Sequence, residues 1–511
     1  METRVGNKGK LNQFLNVVER VCNKLPPPAI LFIFLFVITA ILGAILTQSG
    51  VALENPATHK MVYSQNFFTK DGIQWLLTTM VKNFTGFAPL GLVITMTLAI
   101  GFCEESGLLV SLLNRSMKNV PPNLVPYFVA FAGTIGNIAS DTAAVVIPPL
   151  GAIVFLGVGK NPIAGMICGY AGANVGFTAN LLIAGTDSLL QGLTNQAIEG
   201  FLGNSSFVVD VTCNWYFMVA STFLCSLVIG YSVIKIVEPR LGKYEGETLD
   251  TVQETTELEK KGMRNAGLAL LVMIVLIAVG FFTGVLSKDG HTLVGSLLLK
   301  GLIPILFFAL SLVGIVYGWT VGTFKNMKDV NKAMVKQMSA MGAYIVFCFF
   351  CGQFQALFKW THMGTLISIE GANFLKSVGF TGLPMCIVFV LITACINLFM
   401  SSGSAKWAIL APIFVPMFML LGYHPGFTQL LYRLGDSPTN AVTPMMPYLW
   451  MCLSVAQEKY MPDCTLGMLI SNLLPVALIM QVIWIIFMVI WVLAGIPIGP
   501  GVGVTLPAGV L

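Results

Sequence analysis

Charged residues are scarce in this chain. Only 10% of its 511 residues are Asp, Glu, Lys or Arg, whereas 56% are hydrophobic. A soluble domain carries roughly 25% charged residues, so the composition excludes a soluble globular protein and predicts a polytopic membrane protein. The net charge of +5 is small, and no basic surface is interleaved with aromatic residues. Nucleic acid is therefore excluded as a partner.

Histidine is also rare. All four histidines fall in loops or at the ends of apolar segments: His59, His291, His362 and His424. A hydrolase inside the membrane would need paired catalytic groups, such as a Ser/His dyad, so an intramembrane enzyme is not expected. Most of the eleven cysteines lie in apolar runs and are expected to act as small buried hydrophobes. The sequence thus predicts no cofactor and no tight metal site, and it leaves a channel open as an alternative to a transporter.

The most informative stretch runs from Asn397 to Pro444. Its centre is apolar enough for a bilayer but is interrupted by small polar and charged residues, among them Ser402, Ser404 and Lys406. Each flanking apolar arm is at or below the ~20 residues needed to cross a hydrocarbon core. Irregular backbone at membrane depth survives only where protein or a water-filled cavity satisfies its polar groups. The stretch therefore predicts a re-entrant hairpin at about 383–422 whose tip lines a binding site.

A second copy of this pattern lies in the first half of the chain. The stretch SDTAAVVIPPLGAIVFLGVGKNP at 140–162 aligns with SGSAKWAILAPIFVPMFMLLGYHP at 402–425, with one residue inserted. This alignment predicts a first hairpin at about 121–159. Each hairpin is followed by an apolar stretch that polar residues interrupt, which predicts broken helices at 162–190 and 426–452. Paired hairpins and broken helices in two halves of a membrane protein point to a transporter site.

The order of apolar segments predicts nine transmembrane helices and two hairpins. The N-terminal segment 1–28 carries five basic residues and is therefore expected in the cytoplasm. A polar connection divides the rest into a first half, 29–264, and a second half, 265–511. Two crossings precede the first hairpin and seven precede the second, so the hairpins enter from opposite sides, as inverted-topology repeats require. The expected fold is an all-α polytopic membrane protein with broken helices at the site.

Ionisable residues inside membrane segments are costly and mark candidate functional positions. Two of them, Asp141 and Lys406, stand at the hairpin tips, and Asp187 stands in the first broken helix. Arg433 and Asp436 are spaced i, i+3 and so are expected to face the same side of a helix. A guanidinium binds a carboxylate bidentately, which suits Arg433 to an acidic substrate. An internal ion pair between Arg433 and Asp436 is the alternative.

Hydroxyl and amide side chains surround both tips. Hard oxygen ligands without a dense carboxylate cage suit a weakly bound monovalent cation, so Na⁺ is expected there. The intramembrane aspartates leave H⁺ open as the coupling ion, and packing between membrane helices is the alternative role of the polar side chains. The candidates are Asn137, Ser140, Thr142, Thr178 and Asn180 in the first half and Asn397, Ser402, Ser404, Thr439 and Asn440 in the second.

At these residues the chain resembles the p-aminobenzoyl-glutamate transporter (AbgT) family of bacterial inner-membrane proteins. The matching stretches include NFTGFAPLG, SDTAAVVIPPLGA, GFTANLLIAGTD, SGSAKWAILAPIFVPMFMLLGYHP and GIPIGPGV, and they spread over almost the whole chain. The resemblance implies a homodimer with nine membrane helices and two hairpins per subunit. It also implies ion-driven transport of p-aminobenzoyl-glutamate, a product of folate breakdown, while some members look like sulfonamide exporters.

The resemblance also assigns functional positions. Those that match here are Asp187, Asn397, Trp407, Pro425, Arg433, Asp436 and Pro444. We expect Trp407 to contact the aromatic ring of the substrate, with packing against lipid as the alternative, and Asp187 or Asp436 to handle the coupling ion. Lys406 places a further charge beside this site. The predicted function is ion-coupled secondary transport of a small anionic aromatic substrate, and the alternative is proton-driven export of sulfonamide drugs.

Overall fold

The protein is mostly helical. The computed structural model describes residues 28–55, 60–117, 121–139, 142–203, 207–244, 256–287, 296–400, 402–443 and 446–511. The basic N-terminal segment lies outside the described residues except for Pro28. Three predicted site residues, Ser140, Asp141 and Pro444, also lie outside them.

Helices α1 to α10 and one pair of strands form the first half. They are α1 (Pro28–Gln48), β1 (Ala52–Asn55), β2 (Lys60–Tyr63), α2 (Lys70–Thr85), α3 (Ala88–Glu105), α4 (Leu108–Met117), α5 (Val125–Gly136), α6 (Thr142–Gly157), α7 (Pro162–Val175), α8 (Gly185–Leu202), α9 (Trp215–Ser232) and α10 (Glu238–Leu241). A 3₁₀ turn at Asn137–Ala139 follows α5, and a π-helical turn at Val233–Val237 joins α9 to α10.

Helices α11 to α21 follow, and all but the first eight residues of α11 lie in the predicted second half, 265–511. They are α11 (Glu257–Phe282), α12 (Leu297–Lys300), α13 (Leu302–Val321), α14 (Met327–Ala340), α15 (Gly342–Trp360), α16 (Met363–Ser377), α17 (Leu383–Asn397), α18 (Gly403–Leu420), α19 (Pro425–Asn440), α20 (Pro447–Lys459) and α21 (Leu466–Leu493). The interruptions between α7 and α8 and between α19 and α20 fall within 162–190 and 426–452.

Six of the described helices are long and apolar enough to cross a bilayer. They are Ala29–Gln48, Trp215–Leu241, Glu257–Phe282, Leu302–Val321, Gly403–Leu420 and Leu466–Leu493. The bent pair Met327–Ser339 and Tyr344–Trp360 makes a seventh if it is counted as one span. Shorter apolar helices at Val125–Gly136, Ala143–Gly157 and Leu383–Asn397 add to them. The predicted helical, multi-pass membrane protein is confirmed at this level of detail.

One element departs from the all-α prediction. Strands β1 and β2 pair antiparallel, with Ala52 opposite Tyr63 and Leu53 opposite Val62. Two four-residue strands are too short to show a convincing period-two pattern, so they could not be predicted from the sequence. The amphipathic segment that follows them forms α2, whose Trp75 stacks on Trp360 of α15 with ring centroids 5.4 Å apart.

The two halves contain the same three-helix unit. Short apolar helices α5 and α6 precede α7 in the first half, and α17 and α18 precede α19 in the second. Both α7 and α19 begin at a proline, which loses nothing there because the first N–H groups of a helix have no partner within it. The preceding residue, Asn161 or His424, caps the helix with its side chain.

The helix that follows each three-helix unit packs against the other unit, and we call this arrangement helix exchange. Helix α8, which follows the first unit, packs against α18 of the second, and α20, which follows the second, packs against α6 of the first. Helices α7 and α19 also pack against each other. The exchange brings the two hairpin regions and both helix interruptions into one buried volume.

Glycines allow these helices to meet backbone to backbone. A Cβ added to Gly165 of α7 would lie 2.2 Å from the carbonyl oxygen of Gly151 on α6. A Cβ added to Gly435 of α19 would lie 2.4 Å from the carbonyl oxygen of Val390 on α17. Small residues permit this close approach of membrane helices. The contact at Gly435 sets the position of α19 against α17, and with it the positions of Arg433 and Asp436.

Candidate substrate and ion site

Two buried charged residues on α19 form the centre of the candidate site. Arg433 is 0% exposed and Asp436 is 1% exposed. A buried charge is costly unless it is paired and hydrogen-bonded. The structure pairs these two residues with different partners rather than with each other.

Arg433 pairs with Asp187 on α8. Its Nη2 donates to Asp187 Oδ1, while Asp187 Oδ2 accepts from the backbone N–H of Ala184 at 2.7 Å. The carboxylate thus stands in the first turn of α8, where the helix dipole favours negative charge. The Nε and Nη1 atoms of Arg433 are buried and make no hydrogen bond within the described part of the chain. A guanidinium presents its donors in one plane, so the Nε–H and Nη1–H groups of Arg433 are left for acceptors from outside the described residues.

Asp436 pairs with Lys406 in the first turn of α18. The Lys406 Nζ lies 2.5 Å from Asp436 Oδ1 and also donates to the Oδ1 of Asn397, at the end of α17. The Tyr432 hydroxyl lies 3.3 Å from the same Asp436 oxygen and donates to the carbonyl of Gly403. The end of α17, the start of α18 and the middle of α19 are thereby held around one carboxylate.

The amide of Asn397 completes this cluster. Its Nδ2, which carries two hydrogens, lies within hydrogen-bond distance of three oxygens: the carbonyl of Asp436, Thr439 Oγ1 at 2.7 Å and Asn440 Oδ1 at 2.9 Å. The second tip is closed on its other side by Ser402, whose hydroxyl accepts from the N–H of Ala405 at 3.3 Å and caps α18. Polar groups of the second half are therefore largely satisfied by one another.

Trp407 belongs to a separate chain of hydrogen bonds. Its Nε1 donates to Thr194 Oγ1 at 3.0 Å, and Thr194 donates to Gln429 Oε1 at 2.7 Å. Gln429 Nε2 then donates to Asn214 Oδ1 at 3.2 Å. One face of the indole lies against Tyr432, with ring centroids 4.5 Å apart. The side chain is fully buried, which excludes packing against lipid.

Polar residues of the first half meet those of the second. Thr178 Oγ1 lies 2.8 Å from Ser437 Oγ, so the interruption after α7 contacts the last turn of α19. Asn137 donates to the carbonyls of Thr134 at 3.1 Å and Gly176 at 3.2 Å. Asn180 is buried, and neither of its side-chain polar atoms has a hydrogen-bond partner among the described residues. Carbonyl, hydroxyl and amide oxygens are thus concentrated here without a dense carboxylate cage.

Comparison with known proteins settles the family. The model of the AbgT transporter family matches residues 13–506, which is nearly the whole chain. The chain belongs to the AbgT family. The predicted family is therefore confirmed, and so is the prediction that the protein is a transporter and not an enzyme.

Relatives within the AbgT family extend over the full length of the chain. The p-aminobenzoyl-glutamate transport protein of Escherichia coli (strain K12) is 39% identical over 488 residues, which is 95% of this chain and 96% of that protein. The crystal structure of the Alcanivorax borkumensis YdaH transporter, described as having an unusual topology, matches with a TM-score of 0.86 at 34% identity and covers 93% of this chain and 100% of its own. The Neisseria gonorrhoeae MtrF structure, described as illuminating a class of antimetabolite efflux pumps, matches with a TM-score of 0.88 at 39% identity, covering 96% and 100%.

The structure of this AbgT-family chain does not show the internal ion pair that was the alternative to a substrate-binding role. Arg433 and Asp436 do share a helix, but they do not pair with each other. Arg433 reaches α8 and Asp436 reaches α18, because each charge lies beside an oppositely charged residue of another helix. The i, i+3 spacing indicates a common side of the helix but cannot reveal partners that are distant in sequence.

Several predicted site residues of the AbgT-family chain lie together around these two ion pairs, and others lie apart. Two groups are joined by hydrogen bonds or ion pairs: Asp187 with Arg433, and the cluster of Asn397, Lys406, Asp436, Thr439 and Asn440. Pro425 is buried at the start of α19, and Ser404 lies 3.2 Å from Ser402 through their hydroxyl oxygens. Asn137, Thr178 and Asn180 lie on the first-half side.

Four polar residues of the site were missed by sequence reasoning: Thr194, Asn214, Gln429 and Tyr432. Two of them carried a usable signal. Thr194 is seven residues after Asp187 on α8, and Gln429 is four residues before Arg433 on α19, so each lies on the same helix face as its charged neighbour. Tyr432 and Asn214 offered no comparable spacing.

A cavity of about 360 Å³ lies beside the second hairpin region, among α2, α8, α15, α16 and α18. Its charged lining residues are Lys82, Glu199 and Lys359, and Lys359 Nζ lies 2.8 Å from Glu199 Oε1. Neither Arg433 nor Asp187 lines it. The cavity is therefore separate from the buried charges at the centre.

Proposed function

We propose that this AbgT-family protein is an ion-coupled secondary active transporter of p-aminobenzoyl-glutamate across the bacterial inner membrane. The observation that carries the proposal is the buried Arg433 fork, which is fixed by Asp187 yet keeps two donors without a partner among the described residues. Leaving charged donors unsatisfied costs more than the ~1–3 kcal/mol of a neutral group. The Nε and Nη1 donors lie on different edges of the guanidinium, so the two carboxylates of the glutamyl group could each accept from one of them.

We propose that the two hairpin regions, 121–159 and 383–422, are re-entrant and enter from opposite sides. Helix Gly403–Leu420, with 18 residues, is the shortest of the six candidate spans among the described helices. The preceding helix Leu383–Asn397 has 15 residues, so it is about 23 Å long at 1.5 Å per residue and falls short of a ~30 Å hydrocarbon core. The exchanged packing of α8 and α20 supports two repeats, 29–264 and 265–511, of inverted topology. Nine crossings, a cytoplasmic N-terminus and a homodimer complete the proposed architecture and rest on the sequence pattern and the family resemblance.

We propose Na⁺ as the coupling ion. Asp187 and Asp436 each already have a cationic partner, and a proton on either would leave Arg433 or Lys406 without its counter-charge. The oxygens around Asn137, Thr178 and Asn180 suit a weakly held monovalent cation. Ser140 and Asp141 remain predicted ligands at the first tip, and Ser402, Ser404, Pro425 and Pro444 remain predicted substrate contacts.

Uptake into liposomes tests this function. Protein reconstituted with independently set Na⁺ and pH gradients is expected to accumulate labelled p-aminobenzoyl-glutamate when Na⁺ is high outside, and to saturate with substrate. A pH gradient alone, with Na⁺ equal on both sides, should give no accumulation. Accumulation driven by the pH gradient in the absence of Na⁺ would show H⁺ to be the coupling ion, and non-saturable flux would indicate a channel.

Substitution of Asn180 by Leu tests the first-half ion site. The variant should fold with unchanged or slightly higher stability, because it removes two buried polar atoms that have no partner among the described residues. Its uptake should need a higher Na⁺ concentration for half-maximal rate, while substrate affinity at saturating Na⁺ stays near that of the parent. Thermal melting and uptake at several Na⁺ concentrations measure both effects. An unchanged Na⁺ dependence would remove Asn180 from the ion site.

Export of sulfonamides is the second candidate function. The similarity to MtrF, described among antimetabolite efflux pumps, favours it. A sulfonamide shares the aminophenyl ring of the first candidate substrate but carries no glutamyl carboxylates, so it has no need of Arg433. Drug accumulation in cells with and without the gene, repeated with Arg433→Met, separates the functions, because sulfonamide export should survive that substitution.

A further inference from the structure

The ammonium group of Lys406 occupies an unusual position for a lysine. The residue is 1% exposed, and its Nζ contacts two side-chain oxygens, Asp436 Oδ1 and Asn397 Oδ1. These oxygens come from two different helices, α19 and α17, and Lys406 itself lies on α18. A buried lysine is rarely used as a structural brace, since burying a charge pair costs more than it returns unless the geometry is favourable. The group therefore calls for a functional explanation.

The first half shows the same arrangement without the lysine. The alignment of the two tips places Ala144 opposite Lys406. Asn137 stands before the first tip as Asn397 stands before the second, and each donates to a backbone carbonyl 39 residues further along the chain. In the second half the Oδ1 of Asn440 accepts a hydrogen bond from Asn397 at 2.9 Å. In the first half Asn180, which lies four residues after Gly176 as Asn440 lies four residues after Asp436, has no hydrogen-bond partner for its side chain among the described residues. The asparagine near the fixed ammonium is hydrogen-bonded, and the asparagine of the half that lacks the ammonium keeps two polar atoms without a partner among the described residues.

We propose that Lys406 Nζ is a tethered cation that takes the place of a bound Na⁺ in the second half. An ammonium offers three donors and no acceptor, so it presents the same single positive charge to surrounding oxygens as a monovalent metal ion. Because it is covalently part of α18, it neutralises Asp436 without ion exchange with either side of the membrane. The first-half oxygens are then left as the exchangeable site, and each transport cycle moves one Na⁺ fewer than two equivalent sites would.

The environment of Asp436 supports replacement by a metal ion. Besides Lys406, the carboxylate faces the Tyr432 hydroxyl at 3.3 Å, and a Cβ on Gly403 would lie 3.3 Å from its Oδ2. Removal of the ammonium would leave the Asp436 carboxylate, the Asn397 amide oxygen and nearby carbonyls facing a space vacated by the lysine side chain. Oxygen donors of this kind are those that hard monovalent cations prefer.

The test is to remove the ammonium and count Na⁺. Lys406→Met, purified in Na⁺, is expected to bind one Na⁺ more per subunit than the parent in a ²²Na⁺ binding assay. Its melting temperature should rise with the logarithm of Na⁺ concentration more steeply than that of the parent, because a ligand that binds the folded state stabilises it. Choline at equal ionic strength should give no such rise.

Two further variants complete the design. Lys406→Met combined with Asp436→Asn removes both charges, so it should fold without the added Na⁺ dependence and should lose the extra bound ion. Lys160→Met removes a lysine from a partly exposed pair with Glu238, at 2.8 Å, and should leave the Na⁺ count unchanged. An increase in both Lys406→Met and Lys160→Met would show a general charge effect and would contradict the proposal.

Each remaining outcome also decides the matter. The proposal is overturned if Lys406→Met binds the same number of Na⁺ ions as the parent. It is also overturned if the melting temperature of this variant is the same in Na⁺ and in choline. If Lys406→Met does not fold even in Na⁺, the proposal is overturned, because Na⁺ then cannot replace the ammonium. If the doubly substituted variant does not fold, the proposal is overturned as well. The inference rests on the proposed function only in treating these oxygens as cation sites. Failure of the proposed function would appear as absent Na⁺ binding and uptake in the parent protein, whereas failure of this inference leaves both intact.

Discussion

Substitution of Arg433 by Met is expected to abolish binding of p-aminobenzoyl-glutamate and its uptake. Two hydrogen bonds from the guanidinium to the glutamyl carboxylates are worth about 3 kcal/mol together, so affinity should fall about 100-fold or more. The same change leaves Asp187 buried without its partner, which should lower the free energy of unfolding by about 3–5 kcal/mol. Titration calorimetry and thermal melting of the purified protein measure the two effects separately.

A doubly substituted variant separates recognition from stability. Arg433→Met with Asp187→Asn removes both charges, and Asn keeps an oxygen that can accept from the N–H of Ala184. This variant should recover most of the lost stability and still fail to bind substrate. Lys359→Met is the control, because its pair with Glu199 is exposed and worth little. Substrate binding by the folded double variant with parental affinity would remove Arg433 from the binding site.

Substitution of Trp407 by Ala should have the second largest effect. The indole is fully buried, lies against Tyr432 and donates to Thr194. Loss of a buried tryptophan side chain costs about 3–5 kcal/mol of stability. Trp407→Phe keeps a ring but loses the hydrogen bond, so it should cost only about 1 kcal/mol from that bond plus a smaller cavity term.

A comparison of ligands shows whether Trp407 also contacts the substrate. Affinity for p-aminobenzoyl-glutamate should fall in Trp407→Phe, while affinity for an acetyl-glutamate that lacks the aromatic ring should stay nearly constant. Aromatic pairs contribute about 0.5–1.5 kcal/mol beyond area burial, which corresponds to an effect of up to about tenfold. An equal loss of affinity for both ligands would show that Trp407 supports the structure of the site and does not contact the ring of the substrate.

Much of the fold could be predicted from the sequence, because the bilayer imposes strong rules on composition and length. Apolar runs located the membrane helices, and interruptions by serine, glycine and proline located the ends of α17 and α18 and the start of α19. The cap residues Asn161 and His424 stand before prolines, which makes the helix starts visible in the sequence. The strands β1 and β2 could not be predicted in the same way, because four-residue strands have almost no periodicity.

The candidate site could be predicted only in part. Charges such as Asp187, Arg433 and Asp436 were recognisable because an apolar surrounding makes a charge conspicuous. Their partners were not, since the pair Arg433–Asp187 spans 246 residues of sequence. Helix exchange between the halves creates that pair, and no local pattern encodes the exchange. Lys406 stood out as a charge, but its contacts with Asn397 and Asp436 required the packing of α17, α18 and α19.

A structure determined with bound p-aminobenzoyl-glutamate tests the central claim most directly. The account predicts a glutamyl carboxylate oxygen within about 3 Å of Arg433 Nε or Nη1, the two donors that now lack a partner among the described residues. The aromatic ring should lie beside Trp407. Substrate seated instead in the cavity lined by Lys82 and Lys359, with the Arg433–Asp187 pair unaltered and out of contact with it, would contradict the account.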